Sequence, residues 1–454
     1  MIYYLILIFC FGFSLSIVLD KLNIVNIKKL NIFEYLAYFP TLGFFGLSIY
    51  MFIYGALKIK YTNSMFICVA IFSIIISLYY LITKKINLNI HIDLNTIKKN
   101  YMTIITIILL TLNIMYLISY STSNNLMFPD EFSVWALNAK NIFLGKKMTF
   151  FINTGLEIYP NFLPLLYSGF YIFIDKISES NIRVIPVIFY LLLTFGMIGL
   201  GKKHNIKIWK IILANLFILN SYTGFVSIVA SAYGDIPFAC GYTIGMLYFF
   251  EWLIFDEKKE NMFLSILFLN TACWTKTDGL LMILPFNTFV IILYILFKKR
   301  IKIPTNYSIK KLILFLLSSV SIGIIWKGYT IVNSFPTNLS AGAGSTFKLE
   351  ISYLEPLLRN MTSQQFSTWP WILFLVSCIV LFLKKFDKMK ATSKVYFILL
   401  ILTVLFTMVF MFACYLFIFG GEALIAASYV RYLTRAIFIM AFAVLYILEG
   451  DIIK

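Results

Sequence analysis

Residues 102–120 read MTIITIILLTLNIMYLISY, nineteen residues without a charge. A helix of that length rises about 28 Å, close to the roughly 30 Å hydrocarbon core of a bilayer. The run is solid rather than alternating, so it reads as a membrane-spanning helix and not as a strand of a membrane barrel. Similar runs recur on both sides of it, at 2–19, 35–57, 64–83, 184–201, 209–230, 236–254, 262–274, 279–297, 311–330, 369–384, 394–419 and 435–449. The expected fold is therefore all-α, a polytopic transmembrane helical bundle of about 13 spans.

Composition agrees. Of 454 residues, 61% are hydrophobic and only 13% charged, where a soluble domain carries about 25% charged residues. That much apolar surface exceeds one soluble core and must face lipid. The first run lacks a basic start and a small-residue cleavage site, so it is expected to be retained as a span.

The net charge of +18 lies mostly in short Lys clusters between apolar runs. These are Lys28/Lys29, Lys84/Lys85 with Lys98/Lys99, Lys202/Lys203, Lys258/Lys259, Lys298/Lys299/Arg300, and Lys384/Lys385 with Lys388 and Lys390. The positive-inside pattern places them in the cytoplasm, against anionic membrane lipids rather than nucleic acid. Segments 121–159, 231–235, 331–368 and 420–434 then lie outside. This closes only if one of the runs 160–174 and 184–201 crosses completely; 160–174, interrupted by Pro160 and Pro164, is expected to be partial or re-entrant. The outside segments hold Asp130, Glu131, Glu157, Asp235, Glu355 and Glu422, and 337–346 (TNLSAGAGST) reads as a flexible loop. The expected location is a bacterial inner or plasma membrane, with the working site outside the cytoplasm.

Several chemistries find no support. There is no HExxH, GxxxxGK[ST] or GxGxxG element, so zinc hydrolysis and P-loop ATP use are not indicated. The six cysteines (Cys10, Cys68, Cys240, Cys273, Cys378 and Cys414) fall in or beside apolar runs and are expected to be buried. His91 and His204, beside Lys clusters, are expected at the surface.

Five constellations carry chemistry. The first follows residue 120 directly: Pro129-Asp130-Glu131-Phe132-Ser133-Val134-Trp135-Ala136-Leu137-Asn138-Ala139-Lys140. Pro and two acids make a good helix start, and Phe132, Trp135 and Ala139 fall at helical spacing, which suggests a helix lying along the membrane surface. Read alone, this is better explained by an acidic cap beneath an amphipathic surface helix. The second is Tyr159-Pro160-Asn161-Phe162-Leu163-Pro164, where the chain re-enters the membrane. The third is Ser231-Ala232-Tyr233-Gly234-Asp235-Ile236-Pro237, a small-residue turn with an acid that is costly there unless partnered. The fourth is Trp274-Thr275-Lys276-Thr277-Asp278-Gly279, whose Lys276 and Asp278 are expected to pair with each other or with a ligand. The fifth is Ser428-Tyr429-Val430-Arg431-Tyr432-Leu433-Thr434-Arg435, basic residues where Lys is scarce. Arg suits a phosphate through its planar fork, although an interfacial anchor is the simpler reading.

Their order is more informative than any one of them. An acidic pair in the first large outside loop, a proline-rich re-entry, an isolated Asp before a span, Lys276-Thr277-Asp278-Gly279-Leu280-Leu281 and a late Arg431-Tyr432-Leu433 together resemble the GT-C superfamily of membrane glycosyltransferases. The likeness is strongest to the branch of protein O-mannosyltransferases and lipid A aminoarabinose transferases, and it covers roughly 102–297 and 425–449. The chain departs from that branch in three ways: three spans precede the acidic loop where one is usual, Thr434-Arg435 replaces the usual proline, and no soluble C-terminal domain is present.

The resemblance implies three regions. Residues 1–101 are extra N-terminal helices. Residues 102–300 form a GT-C-like catalytic core whose first outside loop is 121–159. Residues 301–454 are C-terminal helices with the outside loop 331–368. It implies an inverting transfer of a sugar from a polyprenyl-phosphate donor to a glycan, lipid or protein acceptor. Asp130 is the implied general base, with Glu131 orienting the acceptor or serving as the alternative base. Lys276, Arg431, Arg435 or Lys327 would clamp the leaving phosphate, and Tyr159, Asp235, Asp278 and Tyr432 would bind substrate. The resemblance fixes no cofactor: a divalent cation at Asp130 and Asp235, or at Asp235 and Asp278, is an open alternative, since members of the superfamily differ in metal use. Two other readings stand beside this one: a transporter or flippase for lipid-linked glycans, and a polysaccharide polymerase or ligase of a different membrane fold.

Overall fold

The structure is a computed structural model that describes residues 1–83, 100–126, 130–148, 159–220, 223–255, 257–334, 351–367, 369–418, 424–426 and 428–449. Pro129, His91, Glu157, Glu422, the 337–346 loop and the Lys84/Lys85 and Lys98/Lys99 clusters lie outside the described residues. The described residues are helical and contain no strand. In chain order the helices are α1 (Ile2–Lys21), α2 (Ile32–Ala56), α3 (Ser64–Thr83), α4 (Tyr101–Ser123), α5 (Ala136–Gly145), α6 (Phe162–Ile174), α7 (Glu179–Ile182), α8 (Val184–Lys203), α9 (Ile208–Asn220), α10 (Thr223–Val229) and α11 (Asp235–Ile254). There follow α12 (Lys259–Thr275), α13 (Thr277–Ile301), α14 (Ile309–Ser319), α15 (Ser321–Val332), α16 (Leu354–Ser367), α17 (Trp369–Lys385), α18 (Ala391–Phe417) and α19 (Tyr429–Glu449).

Among the described residues, seven helical segments are long and apolar enough to cross a membrane: α1, α2, α4, α7 with α8, α13, α18 and α19. The pair α14 and α15, bent by 55°, makes eight if it is one span. This is the composition of a multi-pass membrane protein. The other expected spans fall on α3, α9 with α10, α11, α12 and α17. The proline-interrupted run 160–174 forms α6, a helix of 13 residues. At 1.5 Å per residue it reaches about 20 Å, short of a hydrocarbon core.

The polarity of the bundle is inverted relative to a soluble protein. Its outward faces are rows of exposed apolar side chains, such as Ile67, Ile71, Ile74, Ile75 and Leu78 on α3. Its interior holds ion pairs, asparagines and threonines. The centre is α11, every residue of which is buried, packed against α8, α12, α18 and α19. Asp235 and Glu251 interrupt its hydropathy near either end, which is tolerable because this helix meets protein and not lipid.

Local sequence explains several boundaries. Asn31 and Glu34 form a reciprocal cap at the start of α2: the Asn31 side chain accepts from the backbone of Phe33 and Glu34, and Glu34 accepts from the Asn31 backbone. Helices α1 and α2 cross closely because each offers a glycine. A Cβ on Gly12 would stand 1.9 Å from the Phe39 carbonyl oxygen, and one on Gly43 would stand 2.1 Å from that of Ile8. Small residues let helix backbones approach in this way.

Three expectations need correction. The segment after Pro129 is helical, but Phe132, Trp135 and Ala139 do not share one face. Glu131–Trp135 forms a π turn that runs straight into α5, and Val134, Trp135, Ala136, Ala139, Ile142 and Phe143 are buried. The widened turn shifts the helical register, so Phe132 points outward while Trp135 and Ala139 point in. His204 is buried, because its ring is boxed by Phe255, Tyr396 and Tyr446 and bonded to Glu251 at 2.9 Å. Cys10 and Cys68 face outward, whereas the other four cysteines are buried.

The close crossing gives a direct test. In an open helix Gly→Ala is worth up to about 1 kcal/mol of stabilisation, but forced overpacking costs about 1–3 kcal/mol. Gly12→Ala should lower the thermal unfolding midpoint in detergent, while Gly328→Ala, where a Cβ meets nothing within 4 Å, should leave it unchanged or raise it.

Candidate functional site

The site begins where α4 ends. The carbonyls of Ser121, in the last turn of α4, and of Asn124 and Asn125, just beyond it, all accept from the Arg183 Nη1, at 3.5, 2.9 and 3.2 Å. Arg183 sits between α7 and α8, and its Nε donates to Glu131 Oε1 at 3.1 Å, with both side chains fully buried. The same Glu131 oxygen accepts from the Ala232 backbone N–H at 2.6 Å. One buried ion pair therefore joins the end of α4, the π turn, the start of α8 and the loop before α11.

That tie places Asp130 at the head of the π turn. Its side chain is 42% exposed, and its Oδ2 pairs with Arg431 Nη2 at 2.8 Å. Arg431 extends from the first turn of α19, and its Nε donates to Asp235 Oδ2 at 3.0 Å. Asp235 is fully buried, and its other oxygen accepts from Lys276 Nζ at 2.5 Å. Asp235 also stands in the first turn of α11, where the helix dipole favours a carboxylate. Lys276 is held at the junction of α12 and α13 by an extended backbone, φ −141° and ψ 145°. Burial pushes its ammonium below the usual lysine value, and Asp235 pulls it back up.

The remaining charges continue the network. Arg435 Nη2 pairs with Asp278 Oδ2 at 2.5 Å. The Arg435 guanidinium also lies over the rings of Phe238 and Tyr432, and that of Arg431 over Tyr233, at 3.9 Å. Lys276 lies over Tyr432. Tyr159 packs edge-on against Trp135, centroids 5.5 Å apart. Gly234 is the point where these pieces meet. A Cβ there would be 3.1–3.2 Å from Thr275, Lys276 and Trp135, so the absence of a side chain lets the first, third and fourth sequence constellations close together.

Asp130, Asp235, Lys276, Asp278, Arg431, Tyr432 and Arg435 are thus brought into one network, with Tyr159 beside it. The pairing differs from that expected. Lys276 and Asp278 do not bond to each other; Lys276 takes Asp235 and Asp278 takes Arg435, because the helix break between them points the two side chains apart. Glu131 does not face an acceptor, being fully buried on Arg183 and the Ala232 amide. Lys327 is exposed on α15 and makes no ion pair among the described residues. For a divalent cation the donor set does not fit: Arg431 already stands between Asp130 and Asp235, and no group of three His, Cys, Asp or Glu close enough to hold a metal ion occurs among the described residues. Sequence reading missed Arg183 and Phe238, and it gave Tyr233 no role beyond its place in the third constellation. The signal for Arg183 was a lone Arg at the threshold of an apolar run, in ISESNIRVIP (177–186).

A second polar cluster lies at the other end of α11. Glu34 pairs with Lys203 at 2.6 Å and accepts from the Tyr248 hydroxyl at 2.9 Å. Lys203 also donates to Asn261, and Glu251 holds His204. Asp235 and Glu251 are sixteen residues apart on one helix, about 24 Å by rise, so the two clusters are well separated.

No protein-family model, no curated protein and no solved structure matches the chain.

Removing one partner of a buried ion pair leaves an uncompensated charge and costs about 3–5 kcal/mol. Glu131→Gln should therefore lower the unfolding midpoint in detergent strongly. Lys140→Gln, which removes the half-exposed pair with Glu179, should change it little, since such pairs contribute about 0–1 kcal/mol. Equal effects would show that the Glu131–Arg183 pair does not hold the site end together.

Proposed function

We propose that this chain is a GT-C-like inverting glycosyltransferase of about 13 spans, moving a sugar from a polyprenyl-phosphate carrier to an acceptor outside the cytoplasm. One observation carries the reading. A single guanidinium, that of Arg431, is shared between Asp130 and Asp235, and Asp235 also holds Lys276. These four residues come from four stretches of chain, with more than a hundred residues between Asp130 and Asp235 and between Lys276 and Arg431. Together they supply the two things the reaction needs: an accessible carboxylate, and cations beside it.

The chemistry follows from their placement. The acceptor hydroxyl gives its proton to Asp130 as its oxygen forms a bond to C1 of the sugar. The bond from C1 to the phosphate oxygen breaks, and its electron pair stays on that oxygen. The added charge is met by Arg431, Lys276 and Arg435, which stabilise it without a proton donor. Attack on the face opposite the phosphate inverts C1. Asp235, fully buried between two cations, orients Arg431 and Lys276 and takes no proton itself. Glu131, with Arg183, is a positioning residue that fixes where Asp130 stands. The apolar outer faces of the bundle suit the isoprenoid tail.

A positioned general base contributes about 10²–10⁴-fold. Asp130→Asn should lower release of polyprenyl phosphate from a labelled polyprenyl-phosphate sugar in membranes by that factor, with membrane insertion unchanged. Unaltered release would remove Asp130 from the chemistry. Movement of the labelled lipid across the bilayer without any bond made or broken would instead favour a flippase, and transfer of an oligosaccharide block would favour a polymerase or ligase.

A further inference from the structure

The cations of the site are all engaged already. Three carboxylates, Asp130, Asp235 and Asp278, face three cations, Lys276, Arg431 and Arg435. A phosphate must therefore displace one of these carboxylates before it can be gripped. The three are not equivalent. Asp235 is fully buried and bonded through both oxygens. Asp278 is 23% exposed and paired to an arginine that is itself fully buried. Asp130 is 42% exposed, and the arginine it holds is the most accessible of the pair, at 16%.

The geometry of Arg431 selects the same residue. Its Nε is taken by Asp235 at 3.0 Å. Its two terminal nitrogens point elsewhere: Nη2 to Asp130 at 2.8 Å and Nη1 to the Ser428 hydroxyl at 3.4 Å, a long bond. Those two nitrogens form the fork that grips a phosphate bidentately. A phosphate docking on it keeps the buried Nε bond to Asp235 and replaces Asp130 on Nη2 and the long Ser428 bond on Nη1.

We infer that the Asp130–Arg431 ion pair is a substrate-opened latch, in which Asp130 occupies the phosphate subsite of the resting site and is set free as a base only when a polyprenyl-phosphate donor takes its place on Arg431. The inference rests on the function proposed above. Charge supports it. Release of Asp130 leaves three cations against two carboxylates, Asp235 and Asp278, one positive charge in excess, and a phosphodiester brings one negative charge. The latch also orders the reaction, since Asp130 stays turned to Arg431 until the donor is seated. The acceptor is then activated second, and a sugar is not exposed to attack in a half-assembled site.

The test is binding of farnesyl phosphate, with farnesol as the phosphate-free control, to the full-length protein in nanodiscs. If Asp130 competes for the subsite, Asp130→Asn should bind farnesyl phosphate more tightly than the wild type, by about fivefold, the worth of a partly exposed ion pair. Arg431→Gln should lose that binding, and farnesol should bind all forms alike. Asp130→Ala gives the same reading should the Asn variant fail to fold, which thermal unfolding monitors. Equal or weaker binding by both Asp130 variants, with the wild type binding, overturns the latch and leaves the phosphate subsite standing. An equal gain in affinity for farnesol also overturns it. Absence of farnesyl phosphate binding in the wild type and in both Asp130 variants overturns the proposed function and the latch together.

Discussion

Asp235 is a carboxylate without access to water at the centre of an apolar helical bundle. An ion in that setting costs several kcal/mol unless other groups satisfy it. Two cations do so, Lys276 from the junction of α12 and α13 and Arg431 from the first turn of α19. Each must be delivered by a different part of the chain, so satisfying one acid fixes the relative position of three helix ends. Asp130 joins that arrangement through the outer face of Arg431. The site is therefore a consequence of how the bundle solves the burial of Asp235.

Polarity falls off across the site in a useful direction. Asp235 and Arg435 are fully buried, Lys276 nearly so, Arg431 slightly exposed and Asp130 open. Buried pairs hold their geometry because breaking them leaves an unmatched charge, while exposed pairs are weak and exchange readily. A rigid base beneath an exchangeable outer pair is what preorganised binding of an anion requires. The Glu131–Arg183 pair extends the buried part of the network to the π turn that Asp130 heads.

Helix α11 joins this end of the bundle to a second polar cluster around Glu34, Lys203, His204 and Glu251. There the charges meet one another and the ends of α2, α8 and α12, and rings from Phe255, Tyr396 and Tyr446 close over His204. The two clusters have different characters. The one at the start of α11 gathers three arginine or lysine side chains behind the partly exposed Asp130, and the one at its end locks helix termini together.

The sequence by itself determined the class of the architecture. Uncharged runs such as 102–120 exceed what a soluble core can bury, and only helices satisfy their own backbone in lipid. It also singled out Asp130, Asp235, Lys276 and Arg431, because charges beside apolar runs are costly and must have a use. Tertiary structure alone decided how they pair. Lys276 and Asp278 are two residues apart, yet a helix break turns them to different partners, and Asp235 finds Arg431 across 196 residues of chain. Periodicity could not reveal the π turn at Glu131–Trp135, since one wide turn shifts the register without any change in composition. Nor could position beside a Lys cluster reveal that His204 is buried, because whether a polar side chain meets water or protein depends on neighbours from other helices. Apolar pattern is local and survives in sequence, whereas the partner of a charge is a fact of three dimensions.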